Sequence, residues 1–110
     1  MQIDERREGK AMVLSIEGRL DHEGCQIFDK KVTQLVAAGE KFLVVDFHNV
    51  DFLASMGIRA LIKPYQALAQ QGGKVVVANV CDSVRTVFGI AGIDKAIPSF
   101  DSVEAAVASL

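Results

Sequence analysis

Met12, Leu14 and Ile16 alternate with Val13, Ser15 and Glu17, the two-residue period of a strand with one drier face. Ahead of them, Ile3 to Arg7 can fold back as a short edge strand across the turn Glu8-Gly9-Lys10. The runs Phe42-Leu43-Val44-Val45-Asp46-Phe47 and Val75-Val76-Val77-Ala78 are almost unbroken in apolar character. Valine-rich runs of this kind predict central strands covered on both faces. Ile97 to Phe100 adds a last short strand, held short or at an edge by Pro98.

Helical spacing fills the intervals. Cys25, Phe28, Val32, Leu35 and Val36 form one apolar stripe that closes at Gly39, and Ile58, Leu61, Ile62, Tyr65 and Leu68 form a second that closes at Gly72-Gly73. Val84, Val87, Phe88 and Ala91 form a third, starting near Asp82 or Ser83 and ending at Gly92. A fourth helix takes Asp101 as its N-cap, with Glu104 three residues on as a capping box and Val103, Val107 and Leu110 facing inward. Pro64 falls inside the second helix, where a lost hydrogen bond and a clash with the preceding turn predict a kink. A hairpin followed by alternating helices and strands implies a single α/β domain over residues 1–110. Its sheet is mixed, antiparallel at the start and mostly parallel afterwards, with about four helices and right-handed crossovers. Val44, Val45, Val76, Val77, Leu61 and Ile62 are the expected core, with Ser55 near the start of the second helix and Asp21 at the same end of the sheet.

Composition narrows the function. Half of the 110 residues are hydrophobic, enough to bury a core without disulfide staples. The net charge is −2 and no basic run exceeds two residues, so nucleic acid is not the expected partner. No apolar stretch reaches the ~20 residues that span a bilayer, and the charged start Asp4-Glu5-Arg6-Arg7 lacks the apolar core of a signal peptide. A cytoplasmic protein with no membrane partner is expected. Cys25 and Cys81 have no C-x-x-C spacing and read as small buried or half-buried hydrophobes of a reducing compartment.

Sites in such sheets gather where strands end and helices begin. Two loops qualify: Gly18-Arg19-Leu20-Asp21-His22-Glu23 and the stretch from His48 to Ile58. Ser55 stands just before an apolar helical stripe, the place of an N-cap. The same place would stabilise a phosphate on its hydroxyl, through free N–H groups and the helix dipole. Gly57 would let a partner's backbone come close, and Leu53, Met56 and Ile58 supply apolar groups beside the loop. Asp21 reads as the cap of the first helix, and Asp46 and Asp51 as solvated or turn-forming residues. His22 and His48 have no ligand partner at metal spacing. Ser55, His48 and Asp51 could be drawn as a triad, but the G-x-S-x-G elbow is missing, as is any glycine-rich phosphate loop. No enzyme, metal site or cofactor is expected. A small enzyme or nucleotide-binding protein built on Asp21, Asp46 and Asp51 would have no spacing that specifies its reaction.

The stretch VVDFHNVDFLASMGIRAL, Val44 to Leu61, resembles the central signature of STAS domains, the family named for sulfate transporters and anti-sigma factor antagonists. There an apolar strand leads through a loop into D-S-S/T-G-I/L-x-x-L, whose first serine is the phosphoacceptor. Gly18-Arg19-Leu20-Asp21 is similar to the family's G-x-L-D, and Gln71-Gly72-Gly73-Lys74-Val75 to its approach to the next strand. The likeness extends over the whole chain. It implies Ser55 as phosphoacceptor, with Asp21, Leu53, Ala54, Ser55, Met56, Gly57 and Ile58 binding a partner. Ala54 departs from the usual aspartate and Met56 from the second hydroxyl residue, which leaves Ser55 the only hydroxyl of the motif. The implied partner is an anti-sigma factor that is also a serine-protein kinase of the histidine-kinase-like ATPase class. Binding it releases a sigma factor, phosphorylation of Ser55 ends the binding, and a serine phosphatase resets the cycle. ATP and magnesium belong to that kinase. A homodimer stays open, as does a non-switching scaffold role in a stress-signalling or lipid-transport complex, which the loss of the aspartate favours.

Overall fold

The apolar runs form a five-stranded sheet in the computed structural model, which describes residues 1–110. In chain order the elements are β1 (Gln2–Glu8), β2 (Ala11–Glu17), α1 (His22–Ala37), β3 (Phe42–Asn49), α2 (Ser55–Ala69), β4 (Lys74–Ala78), α3 (Asp82–Ala91), a 3-10 turn (Ile93–Lys95), β5 (Ser99–Phe100) and α4 (Val103–Ala108). The strands lie in the order β1-β2-β3-β4-β5. β1 pairs with β2 antiparallel, and every later pair is parallel.

Strand order equal to chain order has a consequence. Crossovers of one hand that step in one direction place their helices on one face of the sheet. The packing follows this rule. Leu14 and Ile16 of β2, Leu43, Val45 and Phe47 of β3, and Val75 and Val77 of β4 share a core with Phe28 of α1, Leu61 of α2 and Phe88 of α3. The Phe47 and Phe88 rings meet edge to face, centroids 5.8 Å apart, a favoured arrangement for aromatic quadrupoles. The opposite face has α4 alone, packed as a smaller cluster of Val103 and Ala106 with Ala11, Val13, Val44, Val76 and Ala78. Successive residues of β3 and β4 thus serve both layers, which is why their runs have almost no polar interruption. β2 also departs from the expected single dry face: Val13 is fully buried in the smaller cluster.

Beyond the reach of α4 the second face turns polar. Asp46 Oδ1 accepts from the His48 backbone N–H and from Asn79 Nδ2, each at 3.0 Å, and its Oδ2 accepts from Ser15 Oγ at 3.4 Å. Arg6 donates to the same serine. Asp46 is therefore a hub joining β2, β3 and the turn after β4, not a merely solvated residue. Asn79 holds its end of the bond from a left-handed backbone (φ 59°), which asparagine tolerates better than most residues.

Two further expectations shift. Ser102, not Asp101, caps α4: its hydroxyl accepts from Ala105 N at 3.1 Å, while the Asp101 side chain is fully exposed. The cap lies one residue later, so Glu104 falls at the second helical position and no capping box forms. Ile62 is half-buried on the flank of the core that Leu61 fills. α2 runs through Pro64 as one helix, with the proline buried beside Val32 and Val36 of α1. Truncating the aromatic contact tests the main core: Phe47→Ala is expected to cost about 3–5 kcal/mol in urea unfolding. A loss below about 1 kcal/mol would place the centre of stability elsewhere.

Candidate functional site

Two loops meet at one end of the sheet because their backbones are paired. Leu20, after β2, and Leu53, after β3, form an isolated parallel bridge. Leu20 N donates to Phe52 O at 3.2 Å, and Ala54 N donates to Leu20 O at 3.1 Å. Both leucines point into the core, 0 % and 8 % exposed. This extension of the β2–β3 ladder sets the starts of α1 and α2 side by side, with Asp21 and Ser55 at the same end.

The two helix starts differ. Asp21 caps α1, its Oδ1 accepting from Gly24 N at 2.9 Å. A side chain on Gly24 would stand 2.0 Å from the Arg19 carbonyl oxygen, so only glycine lets the loop cross the first turn this closely. At α2 the extended residue before the helix is Ala54, and no side chain caps it. Ser55 is the first helical residue. It does not take the expected capping role, because the chain becomes helical one position earlier than that role requires. Its hydroxyl is left exposed and makes no hydrogen bond, to His48, to Asp51 or to any other group.

The apolar residues divide in an unexpected way. Leu53 and Ile58 lie under the loop at 8 % exposure each, whereas Phe52 and Met56 are each 38 % exposed. Phe52 was not singled out in the sequence; its position in a loop just ahead of a buried leucine was the available signal. The Arg19 guanidinium lies 4.1 Å from the centre of its ring, a cation–π contact. Gly57 also faces inward. A Cβ there would come within 2.4 Å of Leu53 Cδ1 and 3.3 Å of Leu20 O. Its role in this chain is to seat the first turn of α2 on the paired loops.

The two thiols are tuned in opposite directions. Burial, with the Asp21 charge second, raises Cys25 above the ordinary thiol range. Cys81 precedes α3 and is lowered, chiefly by its hydrogen bond with the Ser83 hydroxyl and next by the Val84 backbone N–H. It lines a cleft with Gly18, Arg19, His48 and Asp51. No three His, Cys, Asp or Glu side chains gather as a metal site, and no helix is long and apolar enough to cross a membrane.

The family model for the STAS domain matches residues 2–106. The anti-sigma F factor antagonist of Paenibacillus polymyxa is 22% identical over 103 residues, 93% of this chain and 88% of that protein. The crystal structure of an anti-sigma factor antagonist from Mycobacterium paratuberculosis superposes with a TM-score of 0.89 at 22% identity, covering 98% of this chain and 92% of that one. The anti-sigma factor antagonist SpoIIAA in its unphosphorylated form superposes at 0.83 and 19% identity, covering 99% and 98%.

Two measurements follow from this geometry. Gly57→Ala must displace Leu53 and press on the Leu20 backbone, so it is expected to lower stability by about 1–3 kcal/mol in chemical unfolding. A neutral result would mean that the first turn of α2 has room the packing denies it. In limited alkylation with iodoacetamide at pH 8, Cys81 should be modified several-fold faster than Cys25, since the thiolate is the nucleophile. Equal rates, or Cys25 first, would contradict the opposite tuning of the two thiols.

Proposed function

The chain belongs to the STAS domain family, and from that premise we propose that it is an anti-sigma factor antagonist whose partner binding is switched by phosphorylation of Ser55. The observation that carries the reading is the Ser55 hydroxyl, exposed and without a hydrogen-bond partner on the first turn of α2, between Phe52 and the adjacent Met56. A hydroxyl spent on capping would have to give up a bond before reaching a kinase. This one has no bond within the chain to give up. The relatives called anti-sigma factor antagonists support the partner class.

In this reading the unphosphorylated protein binds an anti-sigma factor that is also a serine-protein kinase of the histidine-kinase-like ATPase class, and a sigma factor is released. The kinase transfers phosphate to Ser55 and a serine phosphatase removes it. The chain acts in the cytoplasm as ligand and substrate, with no catalytic residue or cofactor of its own. Asp21 orders the start of α1, Leu53, Ala54, Gly57 and Ile58 hold the loop in place, and Phe52 and Met56 offer apolar surface to the partner. Ala54 brings no carboxylate beside Ser55, so the phosphorylated state carries less local repulsion than it would with the family's usual aspartate. The same substitution favours a second reading, a STAS scaffold subunit that binds constitutively.

Phosphate adds nearly two negative charges to a face that must shed water to dock. A cost of a few kcal/mol is in the range for a poorly compensated polar group at an interface. Each ~1.4 kcal/mol is tenfold in affinity, so binding should weaken about a hundredfold or more. Calorimetry against the cognate kinase-like anti-sigma factor checks this. Ser55→Ala is expected to bind like the unmodified protein, and Ser55→Asp to be impaired only in part. Equal affinities for the phosphorylated protein and Ser55→Ala would end the switching reading and leave the scaffold.

A further inference from the structure

We propose that Arg59 is the intramolecular receiver of the phosphate on Ser55, a cation held free on α2 until the serine is modified. The inference rests on Ser55 being the modified residue, as above, but its chemistry lies wholly within the chain. Ser55 and Arg59 are both exposed and stand four residues apart on α2. At that spacing helical side chains are neighbours, with Cβ atoms about 5–6 Å apart. Long side chains on a helix lean toward its N-terminus, which carries the Arg59 guanidinium back over the turn that bears Ser55 and Met56. An anionic group N-terminal to its cation at this spacing is also the better of the two orders.

What singles out Arg59 is that the neighbouring cations are already engaged. Lys63, one turn further on, pairs with Asp29 of α1 at 3.1 Å. Arg19 is stacked on Phe52. Arg59 takes part in none of the ion pairs of the chain, although it shares a cleft with His22, Asp29, Met56 and Lys63. The one carboxylate of that cleft is the one Lys63 holds. A guanidinium offers a planar fork of donors that suits phosphate oxygens in pairs. Phosphorylation therefore acts twice on the docking face: it adds charge next to Met56, and it withdraws the free guanidinium that could otherwise meet an acidic group on a partner.

The test uses the full chain with phosphoserine installed at position 55 by genetic encoding, so no kinase or partner is required. Phosphorus NMR follows the second ionisation of the phosphate, ordinarily near pH 6. A neighbouring cation favours the doubly charged form, so the midpoint is expected to rise by about half a unit or more on Arg59→Gln. Arg59→Lys should keep part of the effect. Lys10→Gln, a cation lying over Phe42 at the far end of β3, should have none. His22 and Asp29, which line the same cleft as Arg59, are common to every form. In the same samples exchange of the Arg59 Nε–H should slow on phosphorylation. Midpoints for the parent and Arg59→Gln that agree within about 0.1 unit, where a paired carboxylate shifts by a unit or more, would overturn the proposal, as would an unchanged exchange rate. Failure of any kinase to modify Ser55 would instead count against the switch itself and leave this measurement standing.

Discussion

The double burial of β3 governs the rest of the molecule. A strand with Leu43, Val45 and Phe47 on one side and Val44 on the other cannot face water on either, so both faces of the sheet need a cover. Three crossover helices on one side satisfy the first demand, because crossovers of one hand that keep stepping in one direction cannot do otherwise. They leave the second face bare. The last six-residue helix, α4, meets that demand by packing Val103 and Ala106 onto Val13, Val44 and Val76. Where α4 stops, the exposed part of this face changes chemistry, and the Asp46 network takes over from apolar packing.

The same constraint places the site. With β2 and β3 parallel and adjacent, their loops emerge together, and the Leu20–Leu53 bridge continues the ladder past the strands. Leucines that anchor the loops from beneath leave little for the loops' polar groups to do. Ser55 is held in position by its neighbours: Leu53, Ile58 and Gly57 seat the turn, while the hydroxyl itself bonds to no other residue.

Much of this was legible in the sequence, for physical reasons. Short valine-rich runs bounded by turn residues fit buried strands, the stripe of Phe28, Val32 and Leu35 fits one face of a helix, and a glycine such as Gly92 ends a helix where a left-handed residue is needed. Asp21 was legible as a cap because aspartate, the stripe after it and the strand before it all agree. What escaped depends on a shift of one residue or on long-range partners. Asp101 and Ser102 are both capable caps, and only the backbone decides between them. Ser55 and Ala54 differ by one position, and sequence preference favoured the serine. Periodicity does not extend into loops, so it could not say that Leu53 turns inward while Phe52 turns outward. Asp46 looked solvated because its partners, Ser15 and Asn79, are each more than 30 positions away.

The uncapped start of α2 then has a physical meaning. A side-chain cap is worth about 1 kcal/mol, and α2 forgoes it. That loss is small beside the burial of Leu53, Ile58 and Leu61, each of which contributes on the order of 1.5–3 kcal/mol. The helix end is thus secured by apolar contacts that do not depend on the charge state of its first residue. A capped serine would couple the two: modifying its oxygen would remove the bond holding the turn, and the loop would move whenever the phosphate came or went. Here the hydroxyl can change chemically while Leu20, Leu53 and Gly57 stay packed. In the proposed switch at Ser55, the change would then be confined to surface charge on a turn that apolar contacts hold.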